Sequence, residues 1–268
     1  MVNRLTKYYQ FTNVNIIFVF LILLNFSSSK AETTKDSSKF SNREIVWSWL
    51  LKHTHLKYSV DGNYSSGNVN RFLFAHRVNF YYLYKIYEFN LTTSNTYGKQ
   101  NNIKTENDYY YGITTNFWQE SPTYLWGNIS EEKSFLRAFS RRSILGIGTG
   151  FNLLKKQKKK QLSLTYGFMY EYTNFFYLND IETIRLSIRF KGKHQLFKNK
   201  VNLSHETFLQ PSVLDAHNYR YRTLITLEFP FNKYLSLRTT YSQNYENIVS
   251  PEKKNTDRTV NFGLSFTY

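Results

Sequence analysis

Residues 161–172 read QLSLTYGFMYEY and decide the fold, because two kinds of side chain alternate along them without interruption. One face of the segment carries large apolar or aromatic side chains, namely Leu162, Leu164, Tyr166, Phe168, Tyr170 and Tyr172. The other face carries Gln161, Ser163, Thr165, Gly167, Met169 and Glu171. Successive side chains of a β-strand point to opposite faces of the sheet, so the segment predicts a strand with one oily and one mostly polar face.

The same alternation recurs from residue 56 to the end of the chain. It predicts strands at residues 56–64, 71–82, 86–98, 106–118, 123–130, 142–154, 161–172, 182–191, 197–210, 219–229, 235–245 and 257–268. Most of them reach the roughly 9 to 11 residues that a tilted strand needs to cross a bilayer. Strands of soluble proteins usually run nearer about 5 or 6 residues. We therefore predict an all-β fold, an antiparallel transmembrane β-barrel of about twelve strands over residues 56–268.

The connectors between these strands alternate in length. The longer set is 65–70, 99–105, 131–141, 173–181, 211–218 and 246–256, and the shorter set is 83–85, 119–122, 155–160, 192–196 and 230–234. Transmembrane barrels have short periplasmic turns and longer extracellular loops. An even number of strands places both termini on the side of the short turns, so we expect the longer set outside the cell.

Composition supports an exported barrel and excludes several other classes. The 268 residues include 19% aromatics and no Cys, which excludes disulfides, thiolate metal sites and cysteine nucleophiles. Tyr and Trp at strand ends suit the two interfacial girdles of a membrane barrel. Mean hydropathy is −0.51, and the strongly apolar run 16–24 is too short for a membrane-spanning helix.

The N-terminus reads as an export signal. Arg4 and Lys7 precede the apolar run, and Ser29-Lys30-Ala31 places small residues at a cleavage point, so residues 1–31 are predicted to be a cleaved signal peptide. An uncleaved anchor is the alternative. Residues 32–55 are expected to be a periplasmic lead-in, and residues 32–44 within it are expected to be disordered. Export makes an anionic lipid surface, or simple solubility, a better explanation of the net charge of +16 than nucleic acid.

The polar faces are predicted to line the lumen. Placing Arg185 and Arg189 in lipid would cost about 2 to 4 kcal/mol for each cation at the midplane, which fixes the register of residues 182–191. The predicted lumen-facing charges are Arg77, Glu88, Asp108, Arg142, Glu171, Arg185, Arg189, Lys200, Glu206, Arg220, Arg222, Glu228 and Arg238. Gly146, Gly148 and Gly150 share this face, where they leave room for long arginine neighbours or relieve backbone crowding.

The end of the chain carries a specific local signal. Val260, Phe262, Leu264, Phe266 and Tyr268 alternate with small and polar residues, and the chain stops on the aromatic Tyr268. This terminal strand resembles the assembly signature of Gram-negative outer-membrane barrels.

Candidate chemical motifs are weak by comparison. His53 and His55 lack a third metal ligand nearby, and neighbouring Ser204 and His205 point to opposite faces of a strand, so they cannot form a catalytic dyad. Outward-facing His76 and His205, or rim carboxylates such as Glu106, Asp108, Glu131 and Glu132, are the candidates for a hydrolytic site. The basic run 155–160 is interpreted as a solvated turn. We expect no catalytic residues, no cofactor and no metal.

Short motifs spread over most of the mature chain carry a family resemblance. They are Ser66-Gly67-Asn68, Tyr97-Gly98, Thr105-Glu106-Asn107, Tyr124-Leu125-Trp126-Gly127, Gly146-Ile147-Gly148-Thr149-Gly150, Pro211 with Asp215 and Tyr219-Arg220, Leu235-Ser236-Leu237, and Asp257 before Gly263-Leu264-Ser265. In order and spacing the chain resembles the domain of unknown function family 481, the salt-induced outer-membrane protein family. The resemblance implies an outer-membrane barrel with a loose connection to salt stress, and it supplies no catalytic residues.

Three functional hypotheses follow. The first is a monomeric barrel of the Gram-negative outer membrane without catalytic activity, either a narrow pore with weak anion preference or an envelope structural protein. Its expected partners are outer-membrane lipids, lipopolysaccharide and the barrel-assembly machinery, with no nucleic acid. The second hypothesis is a barrel enzyme that hydrolyses lipids or peptides. The third is a secreted soluble β protein that binds a polyanion.

Overall fold

The computed structural model describes residues 52–65, 70–157, 160–198, 200–251 and 253–268. Over these residues the chain forms twelve strands: β1 (Thr54–Ser65), β2 (Arg71–Tyr84), β3 (Tyr87–Gln100), β4 (Ile103–Phe117), β5 (Thr123–Ser134), β6 (Phe139–Gln157), β7 (Lys160–Phe175), β8 (Ile181–Leu196), β9 (Val201–Pro211), β10 (Tyr219–Pro230), β11 (Leu235–Glu246) and β12 (Thr256–Thr267). Their number and order match the prediction. β1 begins at Thr54, two residues before the predicted start of the barrel.

Some sequence features lie outside the described residues. They are the predicted signal peptide at 1–31, almost all of the lead-in at 32–55, and the Ser66-Gly67-Asn68 motif. The basic run 155–160 falls at the β6–β7 turn, and its side chains are also outside the described part.

The strands close into an antiparallel barrel. Each strand pairs with its sequence neighbours, and β12 returns to pair with β1. At this seam Lys57 lies opposite Thr267 and Gly62 opposite Phe262, and Leu56 and Tyr268 exchange two backbone hydrogen bonds of 3.0 and 2.9 Å. Closure satisfies the backbone groups of both edges, as a sheet inside a bilayer requires. Two stacked sheets, as in a soluble sandwich, are excluded.

The connectors define two ends of the barrel. The "loop end" carries connectors 66–70, 101–102, 135–138, 176–180, 212–218 and 247–255, and the "terminal end" carries 85–86, 118–122, 158–159, 197–200 and 231–234 together with the start of β1 and the end of β12. The two longest connectors lie at the loop end, as predicted. The predicted loop 99–105 is mostly strand, because Asn101 and Asn102, with φ of 49° and 63°, form a two-residue hairpin turn.

The outward faces of the strands carry the oily rows. Ile147, Phe168 and Phe262 are 70%, 58% and 59% exposed, although each is large and apolar. Exposed apolar rows that run all round a closed sheet have the chemistry of a surface in contact with acyl chains. No helix among the described residues is long and apolar enough to span a bilayer.

The charged lumen as the candidate functional site

The inward rows hold the predicted lumen charges with one exception. Twelve of them lie on strands, on the face opposite the oily rows: Arg77, Glu88, Asp108, Arg142, Glu171, Arg185, Arg189, Glu206, Arg220, Arg222, Glu228 and Arg238. Lys200 is the exception. It lies exposed in turn 197–200, outside the strand rows, because β9 begins only at Val201.

A compact network of charges lies at the loop end of the lumen. We call Glu132, Arg137, Arg142, Glu171, Arg185, Arg220 and Glu246 the loop-end network. The guanidinium of Arg142 donates to both carboxylate oxygens of Glu246, at 2.8 and 2.7 Å. β6 and β11, which carry these two residues, stand five positions apart in a ring of twelve, nearly opposite one another. This ion pair therefore spans the lumen.

Arg142 has further partners besides Glu246. Its Nε donates to Thr173 at 3.0 Å and its Nη1 also reaches Glu132 at 3.2 Å. The guanidinium lies 4.2 Å from the ring centroid of Phe139. Only 2% of its side chain is exposed. Such burial is tolerable for a charge only because carboxylates and hydrogen bonds surround it.

Glu171 joins two further arginines to the network. Arg185 donates to both of its carboxylate oxygens at 3.1 Å, and Arg220 Nη2 lies 2.7 Å from Oε2. Arg185 also donates to Asn218 Oδ1 at 2.8 Å, in connector 212–218. The network thus ties the barrel wall to a loop.

Arg137 extends the network into connector 135–138. Its guanidinium contacts Glu246 at 2.8 Å and Glu132 at 3.1 Å. Burial alone would lower the pKa of Arg137, but the carboxylates of Glu132 and Glu246 outweigh it and raise the pKa above its ordinary value. Arg137 therefore stays charged at every physiological pH.

The middle of the lumen is arranged differently. Arg77 on β2 lies close enough to Arg222 on β10, and to Arg238 on β11, to be repelled by each of them. Arg238 Nε lies 3.2 Å from Asp61 Oδ1, although neither atom is aligned for a hydrogen bond. We call these three arginines the mid-lumen arginines. Arg222 is exposed on the inward face, so the lumen is open to water beside it.

Cations also exceed acids toward the terminal end. Lys57 bonds Glu228, and Arg189 lies 3.0 Å from Glu206. Lys191 and Lys193 point into the same region. Among the described residues, neither lysine has an acid within ion-pair distance.

The glycines of β6 accommodate aromatic rings, not arginines. A Cβ on Gly150 would lie 2.2 Å from Cζ of Tyr124, and one on Gly146 would lie 3.1 Å from the Trp126 ring. A Cβ on Gly148 would lie 2.2 Å from the backbone oxygen of Tyr166. The first of the two predicted reasons, room for long arginines, is therefore wrong, and crowding by backbone and rings is the reason found.

A cavity of about 170 Å³ adjoins the loop-end network. Its lining includes Arg137, Lys253 and Lys254 as cations and Glu246 and Asp257 as acids. Leu136 and Val249, from connectors 135–138 and 247–255, also line it. Ion pairs therefore cross the loop end beside this cavity.

The candidate hydrolytic residues do not come together. His76 lies on the outer face of β2 beside the rings of Tyr58 and Phe74. His205 lies on the outer face of β9, with its Nε2 3.2 Å from that of His194. Glu106 faces inward and binds Arg71 at 2.8 Å. The described residues also contain no group of three or more side chains able to hold a metal.

The rim carboxylates have structural partners. Asp108 accepts hydrogen bonds from Ser134 Oγ at 2.6 Å and from the backbone N–H of Phe135 at 2.7 Å, which holds connector 135–138 in place. Glu131 lies outward and pairs with Arg141 at 2.9 Å.

Of the two neighbouring histidines considered as metal ligands, His53 packs edge-on against the ring of Tyr84.

The terminal strand presents its aromatic and aliphatic row outward. Its members are all exposed: Val260, Phe262, Leu264, Phe266 and Tyr268. Their role in assembly stays a prediction.

Five further charged residues line the lumen without being among the predicted lumen charges. Glu246 and Arg137 fall within the predicted loops 246–256 and 131–141, and the other three are Asp61, Lys191 and Lys193. The signal was present for Glu246, because the alternation of β11 continues through it on the inward side. Arg137 lies in a turn and follows no period.

Comparison with known proteins identifies a family match and solved structures with a similar fold. A family profile described as "Protein of unknown function, DUF481" matches residues 60–268. The NanC porin in a rhombohedral crystal form is 12% identical, with a TM-score of 0.51 over 78% of this chain and 98% of that one. This likeness shows the fold, a porin-type barrel.

Two other solved structures are more distant. A KdgM porin in complex with disordered oligogalacturonate is 9% identical, with a TM-score of 0.45 over 80% of this chain and 99% of that one. An anion-selective porin from Comamonas acidovorans is 8% identical, with a TM-score of 0.37 over 81% and 97%. No curated protein matches the chain.

Proposed function

The chain belongs to the DUF481 family of proteins of unknown function, and from that premise we propose that it forms a narrow pore with weak anion preference in the Gram-negative outer membrane. The loop end faces the outside of the cell and the terminal end faces the periplasm. The protein has no catalytic role.

The observation that carries this proposal is the excess of cations in the open part of the lumen. Arg77, Arg222 and Arg238 face one acid within ion-pair distance among the described residues, Asp61 beside Arg238. Lys191 and Lys193 continue the cationic lining toward the terminal end. A pore lined by arginine and lysine favours anions, and its low-dielectric wall strengthens their field.

The loop-end network makes the pore narrow. The pair of Arg142 and Glu246 crosses the lumen, so solutes pass beside it through the cavity next to Arg137 and Lys253. The expected conductance is therefore small. The same crossing pair favours the second candidate function, an envelope structural protein whose lumen stays closed. A hydrolytic barrel has no such support, because His76, His205 and Glu106 lie apart.

The proposal includes the cellular setting. Residues 1–31 serve as a cleaved export signal, the outward rows contact outer-membrane lipids and lipopolysaccharide, and the row ending at Tyr268 is read by the barrel-assembly machinery. The pore works as a monomer. A connection with salt stress belongs to the same proposal, and its support is the family resemblance alone.

Planar-bilayer recording tests the proposal. With a tenfold KCl gradient across the bilayer, the wild-type protein should give small conductance steps and a reversal potential of the sign for anion preference. The double variant Arg77→Gln/Arg222→Gln should move that potential toward zero, whereas Arg258→Gln, which removes a charge from the outer face of β12, should leave it unchanged. Absence of channels would favour the closed envelope protein, and cation preference would refute the pore proposal.

A further inference from the structure

We propose that Arg77 and Arg222 form a binding site for a phosphate-class oxyanion, either free phosphate or the phosphate end of a small solute, in the middle of the lumen. This inference deepens the proposed anion pore and rests on it. It names a ligand chemistry for one place along the path.

The first support is the position of the two guanidiniums. Arg77 comes from β2 and Arg222 from β10, both on inward rows, and they lie close enough to repel each other. Tyr110 on β4 faces both. The site is therefore built from side chains on separate strands of the closed barrel.

The second support is the state of the nearby acids. Two carboxylates lie near these arginines, and each has another cation closer to it. Asp61 is 3.2 Å from Arg238, and Glu206 is 3.0 Å from Arg189. Among the described residues, no acid lies within ion-pair distance of Arg77 or Arg222.

Charge and geometry then select the ligand. Two guanidiniums that lie near each other without an acid between them repel one another. An oxyanion with two negative charges cancels it, and guanidiniums bind phosphate oxygens through paired N–H donors. Chloride carries one charge and is spherical, so it does not match the paired N–H donors of two guanidiniums. Arg222 is exposed to the lumen, so the ligand has access.

Isothermal titration calorimetry in detergent micelles tests the site without requiring ion flow. Wild-type protein at low ionic strength should bind inorganic phosphate more tightly than chloride. Arg77→Gln and Arg222→Gln should each weaken binding about tenfold or more, as expected for loss of a charge-assisted hydrogen bond. Arg77→Lys should bind more tightly than Arg77→Gln but more weakly than wild type. The lysine keeps the positive charge but lacks the paired N–H donors of the guanidinium. Arg258→Gln is the matched control and should bind like wild type.

The outcomes separate this site from the pore. Binding of both inorganic phosphate and glycerol phosphate would support a site for a phosphate end group, and binding of inorganic phosphate alone would support a site for the free ion. Equal affinity for chloride and phosphate, or equal losses in Arg77→Gln and Arg258→Gln, would overturn it. Phosphate binding without conductance would refute the pore alone, whereas anion-selective conductance without phosphate binding would refute the site alone. The heat-dependent gel shift of each variant checks that the barrel is folded.

Discussion

Arg142 and Arg222 both point into the lumen, from β6 and β10, yet their surroundings are opposite. Arg142 is buried, bonds Glu246 through two hydrogen bonds and is stacked on Phe139. Arg222 is exposed to the lumen and, among the described residues, has no acid within ion-pair distance. The comparison separates two uses of the same side chain. Pairing at the loop end holds the wall together, and unpaired charge in the middle is available to a solute.

This difference follows from where the acids lie. Glu132, Glu171 and Glu246 all lie near the loop end, each on an inward row. Farther from the loop end, Asp61 lies beside Arg238 and Glu206 lies beside Arg189. Among the described residues, Arg77 and Arg222 are therefore left without an acid within ion-pair distance, and their charge is available to an anion.

The largest expected effect is the difference in free energy of unfolding between variants of Arg142 and Arg222. Arg142→Ala leaves Glu246 buried without its main partner, and loss of one partner of a buried pair costs about 3 to 5 kcal/mol. Arg222→Ala removes an unpaired, water-exposed charge, so the free energy of unfolding should change by less than about 0.5 kcal/mol or rise. Urea unfolding in lipid vesicles, followed by tryptophan fluorescence, measures both. Similar losses in the two variants would contradict the distinction.

The next effect concerns the outer face of the barrel. Phe168→Arg places a cation in the middle of an oily row and should cost about 2 to 4 kcal/mol, as for arginine at the bilayer midplane. Leu162→Arg lies on the same row near the strand end, where the cost should fall to about 0 to 1 kcal/mol. Unfolding in vesicles compares them. Equal costs for the two variants would mean that the row does not cross the hydrocarbon region.

A smaller effect tests the crowded wall of β6. Gly148→Ala adds a Cβ that would lie 2.2 Å from the backbone oxygen of Tyr166, and overpacking of this kind costs about 1 to 3 kcal/mol. Gly127→Ala is the matched control, because its Cβ would lie 3.4 Å from Thr115. If both variants unfold at the same urea concentration as wild type, the wall is not tightly packed there.

The smallest effect belongs to an exposed contact between the end of β7 and connector 176–180. Hydrogen bonds from Tyr172 and Asn174 hold the pKa of Asp180 below its usual range. A lowered folded pKa adds stability above the ordinary carboxyl pKa of about 3.9, and that stability is lost as pH falls through the folded pKa. Asp180→Asn should thus lower the urea midpoint slightly at pH 7. The gap between variant and wild type should close in acid, and a gap that persists there would argue against the carboxylate as its cause.

The strands were predictable because a closed membrane sheet repeats one rule. Side chains alternate between lipid and lumen, so even the short predicted segment at 123–130 is part of β5. The strand ends were less predictable. Beyond the bilayer the lipid no longer selects apolar residues, and β6 continues to Gln157 through residues that carry no alternation.

Alternation predicts which face of a strand a charge lies on, with Lys200 as the exception, but it does not predict the partner of that charge. Arg142 and Arg222 are both inward by alternation, and nothing in the sequence distinguishes the paired one from the unpaired one. Partnership across the lumen depends on which strands face each other, as β6 and β11 do. Likewise, the ring that crowds Gly148 comes from Trp126 on the neighbouring strand.

Spin-label accessibility at two positions tests the central arrangement most directly. The chain has no cysteine, so Ile147→Cys and Arg222→Cys each give one labelling site. In lipid vesicles the label at 147 should collide with dissolved oxygen, which concentrates in lipid, and the label at 222 should collide with a water-soluble nickel complex. The reverse pattern, or access of the nickel complex to both labels, would contradict a barrel with oily rows in the membrane and a wet, cationic lumen.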